Sequence, residues 1–300
     1  VSAKALRLLR IERTVSSLRS LAAFYGDALG FDIIGTEACL DPDGVFLLED
    51  ESARFIDLSL GAQILRLTEF DSPGAAYPDG SASADLWFQH LALVTPDMDT
   101  AYARLRRYRE IPISENGPQC LPPATGSVTA YKFRDPDRHP LELIHFPPGT
   151  GDARWQRKAG ASTIGIDHSA LSVSSAGQSI DFYCGILGMK VATRQTNRGA
   201  EQERLDNLGD DIVEVVALAF DESQTPHIEL LAYQSPKGCR LPSPAQPRDI
   251  VADRLVCEVI DLAAILEQLD KDSIVNKKDS AALIRDPDGH LLILEELSRR

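Results

Sequence analysis

Short runs in which apolar and polar residues alternate recur along this chain, and they are followed by stretches with apolar residues at helical spacing. His90-Leu91-Ala92-Leu93-Val94 alternates as a half-buried strand does. Leu18, Leu21, Phe24, Tyr25 and Leu29 fall on one face of a helix that Ser16 or Ser17 can cap and Gly30 can stop. Four further runs, AQILRLTEF, HPLELIHF, HIELLAY and HLLILEE, read as strands. The D-P-D-x-H segments at Asp135 and Asp286 carry turn chemistry.

These elements repeat. RIERTVSSLRSLAAFYGDALGFDIIG, from Arg10, lies without a gap on HSALSVSSAGQSIDFYCGILGMKVAT, from His168, matching Val15-Ser16-Ser17 to Val173-Ser174-Ser175 and Phe24-Tyr25 to Phe182-Tyr183. FRDPDRHPLELIHF, from Phe133, matches IRDPDGHLLILEEL, from Ile284. The chain therefore reads as four β-α-β-β-β units beginning near Leu6, Leu86, Ile164 and Val251. A small sheet with one helix leaves its other face bare, so units must pair edge to edge. The expected fold is α+β: two curved mixed-sheet cups with helices outside. The Pro/Gly-rich stretch from Phe146 to Ser162 divides the chain into expected domains 1–150 and 160–300.

Composition narrows the partners. A net charge of -14 argues against nucleic acid and against anionic lipid surfaces. Cys39, Cys120, Cys184, Cys239 and Cys257 are scattered without a C-x-x-C pair, which fits reduced thiols in the cytoplasm. No apolar run is long enough to span a membrane, and VSAKALRLLRIERT lacks a signal-peptide pattern. The expectation is a cytoplasmic protein, monomer or homodimer, with a small-molecule substrate.

Four such units, an F-Y-x-x-x-L-G helix end and a D-P-D-G-H turn before the last strand resemble the vicinal-oxygen-chelate superfamily, which includes glyoxalase I, extradiol dioxygenases, and fosfomycin-resistance and bleomycin-binding proteins. The resemblance implies a cup that binds one divalent metal ion, with ligands at the start of a unit's first strand and the middle of its last. Carried over, the first-strand positions are Arg10, His90, His168 and Arg254, and the last-strand positions are Arg66, Glu142, Glu229 and Ile293. Units two and three keep a His/Glu pair; units one and four lose both members. Pairing one with two and three with four would split the set. Pairing two with three, as fused two-domain glyoxalases do, gathers His90, Glu142, His168 and Glu229 in one cup, and this arrangement is expected.

Imidazole and carboxylate suit Zn, Ni, Co, Mn or Fe. Two Glu balance the 2+ charge and leave about two positions for adjacent substrate oxygens, and a displaced Glu142 or Glu229 could act as base. Period-two alternation puts His227, Leu231 and Tyr233 on the face of Glu229, and Phe88 and Ala92 on that of His90, so His227, Tyr233 and Phe88 are candidate substrate-lining residues. Gln119, Lys132, Gln202 and Asp206 fall near the expected mouth. In the other cup Arg10, Arg66 and Arg254 converge with Glu12, Glu258 and Glu295, as an ion-pair plug or an anion pocket. The leading function is glyoxalase-like isomerase or lyase chemistry; the alternatives are an extradiol ring-cleaving dioxygenase and a non-catalytic binder of the bleomycin-resistance kind.

Overall fold

The computed structural model describes residues 3–41, 51–156, 162–221 and 227–297. Unit one comprises β1 (Lys4–Thr14), α1 (Leu18–Leu29), β2 (Asp32–Cys39), β3 (Ala53–Leu60) and β4 (Gln63–Phe70). Unit two comprises β5 (Gln89–Val94), α2 (Met98–Leu105), the short β6 (Ile111–Pro112) and β7 (Gln119–Cys120), β8 (Thr129–Arg134) and β9 (Pro140–His145). Unit three has β10 (Gly165–Ser172), α3 (Ala176–Ile180), β11 (Lys190–Arg198), α4 (Ala200–Asp206), β12 (Ile212–Ala219) and β13 (His227–Ser235). Unit four has β14 (Asp253–Ile260), α5 (Leu262–Leu266), β15 (Ile274–Lys277), β16 (Ala281–Arg285) and β17 (Leu291–Glu296).

Ser17 caps α1 by accepting from the Ser20 N–H, and Gly30, at φ 78°, ends it with its own N–H on the Gly26 carbonyl. That left-handed backbone is why a glycine sits there. α3 runs on through Asp181–Ile186 with wider turns, and Leu187 N–H donates back to Phe182 O at 3.2 Å.

The strands form two sheets. One runs β15-β16-β17-β14-β1-β4-β3-β2 and joins unit four to unit one; the other runs β11-β12-β13-β10-β5-β9-β8-β6, with β7 on β8, and joins unit three to unit two. Antiparallel seams β1/β14 and β5/β10 make these junctions. This is the crosswise pairing expected from the distribution of His/Glu pairs. Within each unit the first and last strands run parallel in one common register: Glu12 faces Arg66, Ala92 faces Glu142, Ala170 faces Glu229 and Val256 faces Ile293. The four copies thus superpose without slippage, which matters because a one-residue slip would turn every site residue to the opposite face.

Strand residues of the other parity, such as Leu91, Leu93, Leu141, Leu143, Leu171 and Leu230, merge with helix residues Leu21, Tyr25, Leu105, Tyr183 and Ile265 into one continuous core. The helices therefore cover the sheet faces away from the cups. The D-P-D-x-H turns tie the sheets together. Asp135 accepts from Tyr25 Oη at 3.0 Å, and His139 Nε2 lies 3.0 Å from Thr14 O and 2.8 Å from Ile250 O. Asp286 accepts from Tyr183 Oη at 3.1 Å, and His290 Nε2 lies 3.0 Å from Ser172 O. Sheets join units one to four and two to three, whereas turns latch unit two to one and four to three. Among the described residues no helix is long and apolar enough to cross a membrane.

Candidate metal centre

The β5/β10 seam brings the four sequence-selected residues to one cup. His90 enters from β5, Glu142 from β9, His168 from β10 and Glu229 from β13. His90 Nε2 lies 3.2 Å from Glu142 Oε2, and His168 Nε2 lies 3.6 Å from the same oxygen and 3.5 Å from Glu229 Oε2. The His90 and His168 ring centroids are 5.6 Å apart. His90, Glu142 and His168 are buried, and their donor atoms fall within 4.8 Å of one another. Glu229, 21% exposed, stands at the open side of this tighter trio. Ala92 and Ala170, both fully buried, lie between these side chains in the sheet and leave room above the floor.

Electrostatics reflect the crowding. Burial raises the Glu142 carboxyl, but hydrogen bonds from His168 and His90 outweigh it and leave Glu142 far below the usual range. Burial also pushes His168 down, yet Glu229, Asp167 and Glu142 together hold it well above an ordinary histidine. His90 is lowered, by burial first and by the Lys132 charge second. The donor set itself fits a divalent ion: two imidazole nitrogens and the Glu142 carboxylate converge within 4.8 Å, with a second carboxylate, Glu229, beside His168.

Two contributors were not foreseen, and the polar residues of the mouth take specific partners. Asp167 holds His168 Nδ1 at 3.0 Å, which leaves Nε2 as the nitrogen facing the cup, and Trp155 Nε1 donates to Asp167 at 2.6 Å. Strict alternation turns Asp167 away from the cup; a register shift against β5 between Ile166 and His168 brings it in. Trp155 comes from the boundary stretch, where no periodicity signals a buried ring. Lys132 stands opposite Glu142 across the β8/β9 ladder, a position that parity does predict, and its ammonium pairs with Asp206. Asp206 also accepts from Tyr233 Oη and Gln202 Nε2, each at 2.8 Å. Burial lowers Lys132, but Asp206 and Glu142 more than compensate and hold it charged.

A cavity of about 160 Å³ is lined by the four candidate ligands together with Lys132 and Tyr233. Gln202 and Asp206 line it too, while Gln119 is occupied by Arg204 and by the backbone carbonyls of Glu115 and Gly117. His227 sits behind Glu229, Nε2 to Oε1 3.4 Å, and does not line the cavity. Phe88 is also absent from the lining: it precedes β5 in a turn, where alternation no longer applies, and packs edge-on to His90 at 6.0 Å.

The second cup is filled with ion pairs. Arg10 donates to Glu12 and to Glu295, each at 2.7 Å. Arg254, fully buried, has its Nε 3.7 Å from Glu12 and donates to Thr14 Oγ1 and two backbone carbonyls. Arg66 makes a two-point contact with Asp57 at 2.7 and 2.8 Å and stacks 3.8 Å from the centre of Phe55. Every inward arginine has a carboxylate partner, so this cup is a plug. Glu258 keeps its expected face, opposite Glu295, but its partner is a correction: it pairs with Arg7 at 2.9 Å, and Asp57, facing Arg66 across the strand pair, takes the remaining place.

The family profile described as the glyoxalase/bleomycin resistance protein/dioxygenase superfamily matches residues 7–143 and 165–294. The chain belongs to that superfamily. Among solved structures it is similar to glyoxalase I from Zea mays, at 18% identity and a TM-score of 0.64, covering 98% of this chain and 92% of that one. It is also similar to a candidate dioxygenase from Bacillus subtilis subsp. subtilis str. 168, at 13% identity and a TM-score of 0.56, covering 98% and 86%. At these identities the likeness establishes the shared fold. A search of curated proteins returned no match.

Proposed function

We propose that the cup between units two and three is the active site of a metal-dependent, glyoxalase-like enzyme acting on a small substrate with two neighbouring oxygens, by isomerase or lyase chemistry. The observation that carries this reading is the convergence of His90 Nε2, His168 Nε2 and Glu142 on one buried point, with Glu229 3.5 Å from His168 at its open side. These residues would hold one divalent ion (Zn, Ni, Co, Mn or Fe), which when bound supplies a Lewis acid that polarises a substrate oxygen and acidifies the adjacent C–H. Glu229, the more exposed carboxylate, is placed to take that proton; Glu142, held as an anion by two imidazoles, is the second candidate. The Lys132 ammonium and the Tyr233 hydroxyl form a polar wall that can orient a substrate oxygen. The cavity is smaller than the roughly 300 Å³ at which drug-sized ligand pockets begin, which favours a compact substrate.

The reading includes two domains, 1–150 and 160–300, in a cytoplasmic monomer or homodimer with no nucleic-acid or membrane partner, consistent with the charge of -14. Metal content of wild type and of His90→Ala/His168→Ala tests it. About one divalent ion per chain, absent from the double variant, is expected. No ion after incubation with Ni, Zn, Mn or Fe(II) overturns it and leaves a small-molecule binder. A second reading rests on the tight trio of two His and one carboxylate, the donor set of non-haem Fe(II) oxygenases. Catechol-dependent oxygen uptake with bound Fe(II) would establish that dioxygenase alternative.

A further inference from the structure

The motif R-D-P-D-x-H occurs twice, and its two arginines have different surroundings. Arg134 and Arg285 occupy the same place: each ends the strand before the last, opposite the residue that opens the last strand, Pro140 in one unit and Leu291 in the other. Arg134 is fully engaged. It donates to Arg138 O at 2.9 Å and Ser81 O at 2.6 Å, and its guanidinium lies 5.4 Å from the centre of the Tyr77 ring. Tyr77 and Ser81 belong to the segment 71–88 that joins units one and two.

Arg285 has none of this. Its Nη1 is buried without a hydrogen-bond partner among the described residues. Burial lowers its pKa, with the field of Asp249 opposing. Where Arg134 meets a tyrosine ring, Arg285 faces a cavity of about 580 Å³, walled by Trp87, Leu241, Ala245 and the Asp286–Leu291 turn. The joining segment here, 236–252, contains no aromatic residue, so nothing in it can replace Tyr77. The nearby turn carboxylates are already taken: Asp286 accepts three backbone N–H groups, and Asp288 pairs with Arg240 at 2.6 Å. A guanidinium N–H shut away from water without an acceptor is costly, so a ligand that supplies one is favoured.

We propose that this cavity is a binding site, separate from the cup, for a small planar aromatic monocarboxylate. The ring takes the place that Tyr77 fills in the other half, against the half-buried Trp87 indole. The carboxylate takes the place of the Ser81 carbonyl, with two oxygens matching the fork of the guanidinium. Asp270 and Asp272 at the exposed rim outnumber Lys271 between them and disfavour a second negative charge on the ligand. The volume lies within the roughly 300–1,000 Å³ usual for small-molecule pockets.

Titration calorimetry of the full chain with benzoate tests the proposal, with tryptophan emission, from Trp87 and Trp155, followed in parallel. Benzoate binds wild type one to one and perturbs the indole emission over the same concentration range. Benzamide, lacking the charge, binds about tenfold more weakly, and Arg285→Gln weakens benzoate by about tenfold or more. Ala245→Trp fills the cavity, keeps Arg285 and abolishes binding; it decides the matter if Arg285→Gln fails to fold. His90→Ala/His168→Ala retains benzoate binding. No binding up to about 10 mM, unchanged affinity in Arg285→Gln, or loss of binding in the His90/His168 variant overturns the proposal.

Discussion

The two cups are built from one repeat in one register, yet one is hollow and the other solid. Residues at four equivalent positions decide this: His90, Glu142, His168 and Glu229 in one cup, Arg10, Arg66, Arg254 and Ile293 in the other. The positions between them matter as much. Ala92 and Ala170 leave space over the floor of the first cup, whereas Glu12 and Val256 fill the second. Glu12 sits 2.7 Å from Arg10, 3.7 Å from Arg254 and 4.0 Å from Arg66, an anion among three cations. The first cup sets two carboxylates beside two imidazoles, a donor set suited to a divalent ion; the other has its cations built in. One repeat thus supports two outcomes, a cup of metal-ligating side chains and a cup closed by guanidinium–carboxylate pairs.

Breaking the plug has the largest expected effect. Glu12→Ala leaves buried guanidinium groups without their shared carboxylate and lowers stability by about 3–5 kcal/mol in urea unfolding, with metal content unchanged. Next comes the support of the hollow cup: Asp167→Asn removes the carboxylate that fixes the His168 tautomer and weakens metal affinity about 10–100-fold by competition with a chelator.

The turns extend the comparison to acid. Burial raises Asp135, but His139 and Arg13 outweigh it, so its folded pKa lies below the unfolded value. Its contribution is present above about pH 4 and lost as pH falls through the folded value. Burial wins at Asp286, which is raised, so its charged form adds no comparable stability at neutral pH. Asp135→Asn therefore destabilises more than Asp286→Asn at pH 7, and the gap closes in acid unfolding curves. The smallest effect is Arg66→Ala: its pair with Asp57 is partly solvated, and a loss of about 1 kcal/mol is expected in the same urea assay.

Much of this was legible in the sequence. The repeat, the strand and helix pattern, and the Ser17 cap and Gly30 stop follow from alternation, helical spacing and matched motifs; the four candidate ligands follow from the family resemblance carried onto matched repeat positions. These signals are local, or repeat at fixed intervals, and each copy carries them in full. Asp167 escaped because a register shift against a strand of another unit turns it inward, and Trp155 because its burial depends on chain far from it in sequence. Glu258 was misassigned since parity gives the face but not the partner, and Arg7 lies closer than the plug. The sequence by itself determined the unit and the residues each copy contributes, since period and motif need only neighbouring residues to be read. The tertiary structure alone decided which partner each charge meets and which of two equivalent arginines is left facing open space, because those outcomes depend on how strands and joining segments from different units come together.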